Sequence, residues 1–423
     1  MNISLLMTGN ELMSGDTVDS NSSLIAQSLS DYGFDVFCKI TIGDSLQHIV
    51  SNLKRLLTVS KVIIVNGGLG PTNDDLTAEA LASLSGSPLV ENDEALKHLK
   101  FWCKNKKLPL NKANYKQVLL PINSKIINNP KGSAVGFYLE FNGCLIICTP
   151  GIPSELKFML DESIPVILKN KFPAAQSKYI RRLKCFGYGE SSLQQLILDN
   201  CPDWPEEVHL GFRAGVPLLE IKLSVDDDEF LSLRNECEEI IYKLLGPYII
   251  GENDSTLSSI IVNLINKKNK KLTLAESCTG GMIASQITSV SGASNVFEVG
   301  FVCYSDEMKK NILSVDDNLL LNYGAVSNEV VSAMAAGALS KSSASYVIAV
   351  SGIAGPTGGS TDKPVGTVWI AWGDHHELLS HKFYFPIERN MFQLIISSLS
   401  QDLLRRFILG EREVPNYFQR FGE

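Results

Sequence analysis

Short, wholly apolar runs alternate with stretches of helical spacing from the first residues of this chain. Ile3 to Met7 is an apolar run, followed by a turn and by the helical pattern SSLIAQSLSDYG, which Gly33 closes. FDVFCKITI predicts a second strand and HIVSNLKRLL a second helix. KVIIVNGG predicts a fully apolar strand ending in glycines, and DLTAEALASLSG a helix with Asp and Thr at its start and Gly at its end. GCLIICTPGIPSELKFML repeats the logic as strand, Pro-Gly turn and helix. Strands alternating with helices imply a parallel sheet covered by helices on both faces. Ligands bind such sheets at the carboxyl ends of the strands. The glycine-rich stretch from Gly67 to Gly70 stands at one of those ends.

Near Phe172 to Ser177 the pattern breaks. From Arg181 to about Leu245 it predicts a small α+β unit: strand RRLKCFGYG, helix ESSLQQLILDN, strand LLEIKLSV and helix DEFLSLRNECEEIIYKLL, closed by Gly246-Pro247. A new α/β pattern follows, with helix TLSSIIVNLINKK, the run KLTLAES, a glycine pair and helix MIASQITSV. Beyond it come VFEVGFVCYS, the helix EVVSAMAAGALSKS and the strands SYVIAVSG and GTVWIAWG. A length of 423 residues exceeds one ordinary core, so two or three domains are expected. The reading is an α/β protein: two three-layer α/β domains, residues 1–172 and 254–415, joined by a small α+β module, residues 178–250. No low-complexity tract and no internal repeat is visible.

With 44% hydrophobic and 20% charged residues the chain is globular. A net charge of -8 without a basic block argues against binding nucleic acid by phosphate neutralisation. The start MNISLLMTGNELMSG lacks the basic and apolar regions of a signal peptide, and no apolar run approaches the ~20 residues of a membrane helix. The nine cysteines are scattered, with no C-x-x-C pair; Cys144 and Cys148 fall in a strand-like run and are expected as buried thiols. Free thiols fit a reducing compartment, so a cytoplasmic protein is expected.

LAESCTGGMIASQ carries the first candidate chemistry. Ser277 lies between an apolar run and a helix, and Gly280-Gly281 permit a tight turn there. A hydroxyl at such a junction faces backbone N–H groups, which with the helix dipole favour an oxyanion. A serine attacking a carbonyl also needs a base. His375, His376 and His381 fall in a polar region expected to loop, so Lys309 in VCYSDEMKK is the better candidate, with Tyr304 five residues earlier. A lysine with a lowered pKa can take the serine proton, and a tyrosine can relay or position it. AVSGIAGPTGGSTDKPVG then supplies a Gly/Thr/Ser loop after a strand, which suits a phosphate group. Each feature also has a plainer reading: Ser277 could cap the helix, Lys309 could be a solvated lysine, and the loop could be only a turn. Cys278 is a rival nucleophile at the helix start, ranked below Ser277 because no histidine accompanies it.

TLAESCTGG, GFVCYSDEMKK, GAVS and SGIAGPTGG…KPVGTVWIAW resemble the C-terminal domain of the competence/damage-inducible CinA family, from about Asp254 to past Arg389. Stand-alone relatives of that domain are nicotinamide-nucleotide amidases. The resemblance implies a cofactor-free amidase that converts nicotinamide mononucleotide to nicotinate mononucleotide and ammonia. Its Ser–Tyr–Lys arrangement carries over to Ser277, Tyr304 and Lys309. It further implies Gly280, Gly281, Thr357, Gly358 and Arg389 near substrate. Asp306 stands where the family usually has Asn, which leaves the three catalytic positions intact.

VNGGLGPTNDDLTAEALA places glycines at a strand end and Asp74 and Asp75 at a helix start. Main-chain N–H groups there can hold phosphate, and adjacent carboxylates can hold a hard cation; together they suit metal-assisted attack on a pyrophosphate. The two aspartates could equally cap the helix. GNELMSG…DSNS, GGLGPTNDDLTAEA, KGSAVGF and TPGIPSELKFM resemble, in order, the molybdopterin-binding fold and more closely the N-terminal half of CinA. That half implies an ADP-ribose pyrophosphatase dependent on a divalent cation (Mg, Mn or Co). By position it implies metal ligands Asp74, Asp75 and Glu79, and substrate residues Glu11, Asn21, Gly67, Gly68, Gly70 and Lys157. The middle unit resembles the family's KH-like module but lacks a GXXG loop and a basic surface, so RNA binding is not expected. The expected partners are the two nucleotides and a second copy in a homodimer, without membrane or nucleic acid. The alternatives are a molybdopterin-binding protein and a non-catalytic partner in competence or DNA damage.

Overall fold

A computed structural model describes residues 1–173 and 178–417. The Phe172–Ser177 break lies largely outside these, since 174–177 are not described. The chain forms two compact units, residues 1–179 with 226–228, and residues 180–225 with 229 onward.

The first unit carries β1 (Ile3–Thr8), β2 (Val36–Ile42), β3 (Val62–Asn66), β4 (Leu89–Glu91), β5 (Leu119–Pro121), β6 (Lys125–Ile127), β7 (Gly136–Phe141) and β8 (Cys144–Thr149). Its main sheet has the order β2-β1-β3-β8-β7-β6, while β4 and β5 pair separately. β2, β1, β3 and β8 run parallel; β7 and β6 are antiparallel. VIIVN can be apolar throughout because both of its faces are covered. Ile63 and Val65 pack with Leu53, Leu81 and Leu99 on one side, and Val62 and Ile64 with Ile25, Leu156 and Leu160 on the other. Three layers follow directly from that alternation.

The second unit holds two sheets. β9 (Tyr179–Cys185), β10 (His209–Arg213), β11 (Leu219–Val225) and β12 (Ile249–Glu252) form one in the order β10-β11-β9-β12. β13 (Leu272–Glu276), β14 (Phe297–Val302), β15 (Tyr346–Gly352), β16 (Thr367–Asp374) and β17 (Leu378–Tyr384) form the other, ordered β14-β13-β15-β16-β17. β14, β13 and β15 are parallel, and β16 and β17 are antiparallel additions. Leu272, Leu274, Ile348 and Val350 face a core that includes Phe392 and Leu399, whereas Ala275, Val347 and Ala349 face Val330 and Met334. Phe186 and Ile250, from the four-stranded region, belong to the first of these cores.

Residues 375–381 do not simply loop: Leu378–Tyr384 is an edge strand paired with β16, so His381 lies within a strand. An edge strand tolerates polar residues on its open side, which hid its period. Among the described residues no helix is long and apolar enough to cross a membrane.

Candidate active sites

In both major sheets the chain leaves the first parallel strand, adds a neighbour on one side, then crosses to the other side. β1 is flanked by β2 and β3, and β13 by β14 and β15. A reversal of this kind opens a crevice at the carboxyl ends of the strands; Ser277 directly follows β13, and Gly67, Gly68 and Gly70 follow β3.

In the second unit Ser277 directly follows β13. Its N–H donates to the Val350 carbonyl at 3.1 Å, and Cys303 N–H donates to the Glu276 carbonyl at 2.9 Å, so the turn stays stitched to both neighbouring strands. Gly280 and Gly281 have φ of 63° and 95°, a left-handed pair that few other residues adopt. Ser277 is not the helix cap. Glu276, only 1% exposed, accepts from the N–H groups of Gly281 and Ile283 at 3.1 Å each and of Ala284 at 2.8 Å. This corrects the expected oxyanion site, because those helix-start donors are already engaged. The Thr279 hydroxyl, two residues past Ser277, is buried without a partner.

Lys309 is 1% exposed, on the helix Asp306–Leu313 whose N-cap is Ser305. Its Nζ donates to the Tyr304 carbonyl at 3.1 Å and to Asp306 Oδ1 at 3.3 Å. A fully buried lysine is rare, which sets it apart from a solvated one. Tyr304 is 60% exposed, and its hydroxyl accepts from Arg389 Nη2 at 3.0 Å. Arg389 Nη1 donates to the Gly355 carbonyl at 2.7 Å, so one guanidinium links Tyr304 to the glycine loop. Thr357 and Gly358 lie exposed on that loop, and Gly280 is exposed on the turn. Burial pushes the Cys278 thiol up to about 12; Glu276 adds to the rise, while Lys309 and Arg389 oppose it. A protonated, buried thiol is a poor nucleophile. Sequence reasoning missed Glu276 and Gln393, whose Nε2 donates to the Cys278 carbonyl at 2.8 Å. A carboxylate just ahead of a turn and a helix was the available signal for Glu276.

In the first unit a cavity of about 470 Å³ opens among Thr8, Gly67, Gly68, Gly70, Pro150 and Gly151, at the ends of β1, β3 and β8. Glu11, Asp44, Asp74 and Asp75 line it too. Gly67 has φ of 110°, and a Cβ there would lie 2.5 Å from the Thr8 carbonyl oxygen. Burial raises Asp44 above the ordinary carboxylate range against the Asn10 N–H that donates to it, and the charges of Glu11, Asp74 and Asp75 add to the rise.

Three expected residues stand elsewhere. Lys157 is exposed and pairs with Asp161 at 3.4 Å; it is two residues from cavity-lining Glu155 on one helix, and such residues do not share a face. Asn21 donates to Asn66 Oδ1 at 3.0 Å and to the Gly151 carbonyl at 2.6 Å, bracing the turns behind the cavity. Glu79 pairs with Lys116 at 3.2 Å.

The implied cation does not fit Asp74, Asp75 and Glu79 as a resident ion. Asp75 Oδ2 accepts from Thr72 N at 2.8 Å, and the Thr72 hydroxyl stands between Asp74 Oδ1 and Asp75 Oδ2 and donates to one of them. Glu79 is held by Lys116, and among the described residues no three His, Cys, Asp or Glu side chains gather to hold a metal ion. Asp44, Gln117, Ser133 and Glu155 line the cavity and had escaped sequence reasoning.

Fold and sites define an α/β protein whose two major sheets each reverse their strand order at a switch point, with a cavity at that of the first. Family models match residues 4–169 as "Probable molybdopterin binding domain" and 254–408 as "CinA C-terminal domain". A CinA-like protein of Colwellia psychrerythraea is 46% identical over 418 residues, covering 98% of this chain and 97% of its own. The nicotinamide-nucleotide amidohydrolase PncC of Shewanella oneidensis is 35% identical over 420 residues, covering 99% and 98%. The crystal structure of a competence/damage inducible protein, CihA, from Agrobacterium tumefaciens covers 35% of this chain and 91% of its own at 38% identity and a TM-score of 0.35. The chain belongs to the CinA family.

Proposed function

We propose that the second unit hydrolyses the carboxamide of nicotinamide mononucleotide, giving nicotinate mononucleotide and ammonia without a cofactor. The observation that carries the reading is Lys309, fully buried on the helix Asp306–Leu313 that follows β14, the neighbour of the strand leading into Ser277. Ser277 Oγ attacks the carboxamide carbon, and Lys309 takes the hydroxyl proton. The tetrahedral intermediate collapses by breaking the C–N bond, and the lysine returns the proton to the leaving nitrogen. Water then cleaves the acyl-serine by the same route. Tyr304, held by Arg389, positions the lysine loop, and the glycine loop with Arg389 receives the phosphate. The named activity of the Shewanella oneidensis relative supports this choice of substrate. The test is ammonia release by Ser277→Ala and Lys309→Ala proteins; near-normal turnover in either removes that residue from its role.

A second reading concerns the first unit, where Gly67, Gly68 and Gly70 line the cavity and let a ligand approach the backbone closely. The proposed reaction is hydrolysis of the pyrophosphate bond of ADP-ribose, with no step assigned to a resident metal. Phosphate-ester products appearing from ADP-ribose with Ser277→Ala protein would support it, and none appearing in the presence of Mg, Mn or Co would refute it. A homodimer belongs to the same proposal, to be read by sedimentation.

A further inference from the structure

Gln393 lies on the helix Arg389–Leu409, four residues past Arg389 and so on the same face. That face meets three strand-end loops. Arg389 donates to the Gly355 carbonyl and to the Tyr304 hydroxyl, and Gln393 Nε2 donates at 2.8 Å to the carbonyl of Cys278, the residue after Ser277. A Cβ on Gly280 would stand 3.7 Å from the same Nε2, so the side-chain amide lies over the turn itself. A carbonyl opposite requires the NH2 end of the glutamine, which fixes the other end, Oε1, as an acceptor. Oε1 has no hydrogen-bond partner among the described residues; Gln393 is only half-buried, and Oε1 stays open to solvent. The proposed reaction leaves this acceptor unused.

The charged groups of the site otherwise favour an anion. Lys309 Nζ and the Arg389 guanidinium carry only N–H donors. Glu276 is occupied by three backbone amides, and Asp306 Oδ1 by Lys309. A primary carboxamide presents two N–H donors beside its oxygen, whereas a carboxylate presents acceptors only. A site of donors alone would therefore hold the acid product of amide hydrolysis better than the amide. We propose that Gln393 Oε1 accepts an N–H of the substrate carboxamide, which makes Gln393 the residue that selects an amide over the corresponding acid. The acceptor holds the nitrogen that leaves as ammonia. Once the carboxylate has formed, Oε1 faces a like oxygen, and release of the product is favoured. The inference rests on the reading of this site as an amidase.

The test is titration calorimetry on the full chain carrying Ser277→Ala, which removes the nucleophile, with nicotinamide mononucleotide and with nicotinate mononucleotide. The two ligands differ only at the group in question. With Ser277→Ala alone the amide is expected to bind more tightly than the acid. Adding Gln393→Met, a side chain of similar length with neither donor nor acceptor of note, is expected to move the ratio of the two affinities toward the acid by roughly tenfold. Adding Gln393→Lys instead restores a donor for the Cys278 carbonyl but no acceptor, and is expected to move the ratio the same way. An unchanged ratio with methionine overturns the assignment. So does a ratio restored by lysine, because bracing of the turn alone would then set it. A wild-type chain that releases no ammonia from nicotinamide mononucleotide overturns the amidase reading and the selection with it.

Discussion

Ser277 and Cys278 are neighbours with opposite prospects. The serine ends a strand at a glycine turn, whereas the thiol is 3% exposed and pushed up to about 12 by burial. At pH 8 iodoacetamide is expected to label the half-buried Cys38 and Cys201 and to leave Cys278 intact in the folded chain. Mass spectrometry of tryptic peptides reads this; early labelling of Cys278 would return it to contention as nucleophile. Ser277→Ala should lower amidase turnover by about three orders of magnitude or more, and adding Lys309→Ala should cost little further, because residues acting as one unit are not additive. A double variant far worse than either single would mean that they act separately. Ser277, Tyr304 and Lys309 could be picked out in the sequence because their types stood in an ordered motif. Glu276 was marked only as a carboxylate ahead of a turn and a helix; its role depends on three N–H groups five to eight residues ahead, which only the turn brings back to it.

The strand-turn-helix after β13 depends on that carboxylate. Glu276→Ala leaves three amide groups without their acceptor, and a loss of about 2–4 kcal/mol is expected from the second unit. Urea unfolding followed by circular dichroism checks it; an unchanged midpoint would mean that water replaces the carboxylate at no cost. Wholly apolar strands such as VIIVN and CLIICT were legible because a short run, apolar at every position and closed by glycine or proline, suits a strand covered on both faces. The helix Arg389–Leu409 was not. It is buried nearly all round, yet it carries Ser397, Ser398, Ser400, Gln401, Asp402, Arg405 and Arg406 inside. Its polar groups answer one another: Asp402 accepts from Arg405 Nε at 2.7 Å, Arg406 Nε at 2.8 Å and the Tyr417 hydroxyl at 2.6 Å. A helix whose polar face is turned inward has no amphipathic signature to read. The grouping of Gln117, Ser133 and Glu155 around the first cavity was hidden too, because they meet only in space.

The same helix joins the two sheets of the second unit. Arg405 Nη2 donates to the Pro247 carbonyl, and the Arg406 guanidinium lies 4.8 Å from the centre of the Tyr248 ring. A segment beginning near residue 180 should therefore melt higher than one beginning at Asp254, which lacks Phe186, Pro247, Tyr248 and Ile250. Equal melting temperatures by calorimetry would contradict this. The two crevices lie in separate units with separate cores, so Asp75→Ala is expected to spare ammonia release while altering ADP-ribose hydrolysis; parallel loss of both in a folded variant would deny their independence. The central claim is that Ser277 opens the carboxamide of nicotinamide mononucleotide without a cofactor. Its most direct measurement is ammonia released from that nucleotide by the purified full chain in excess EDTA, beside the Ser277→Ala chain. Steady release is expected from the first and none above background from the second; release that stops with EDTA, or that persists without the Ser277 hydroxyl, would contradict a cofactor-free serine route.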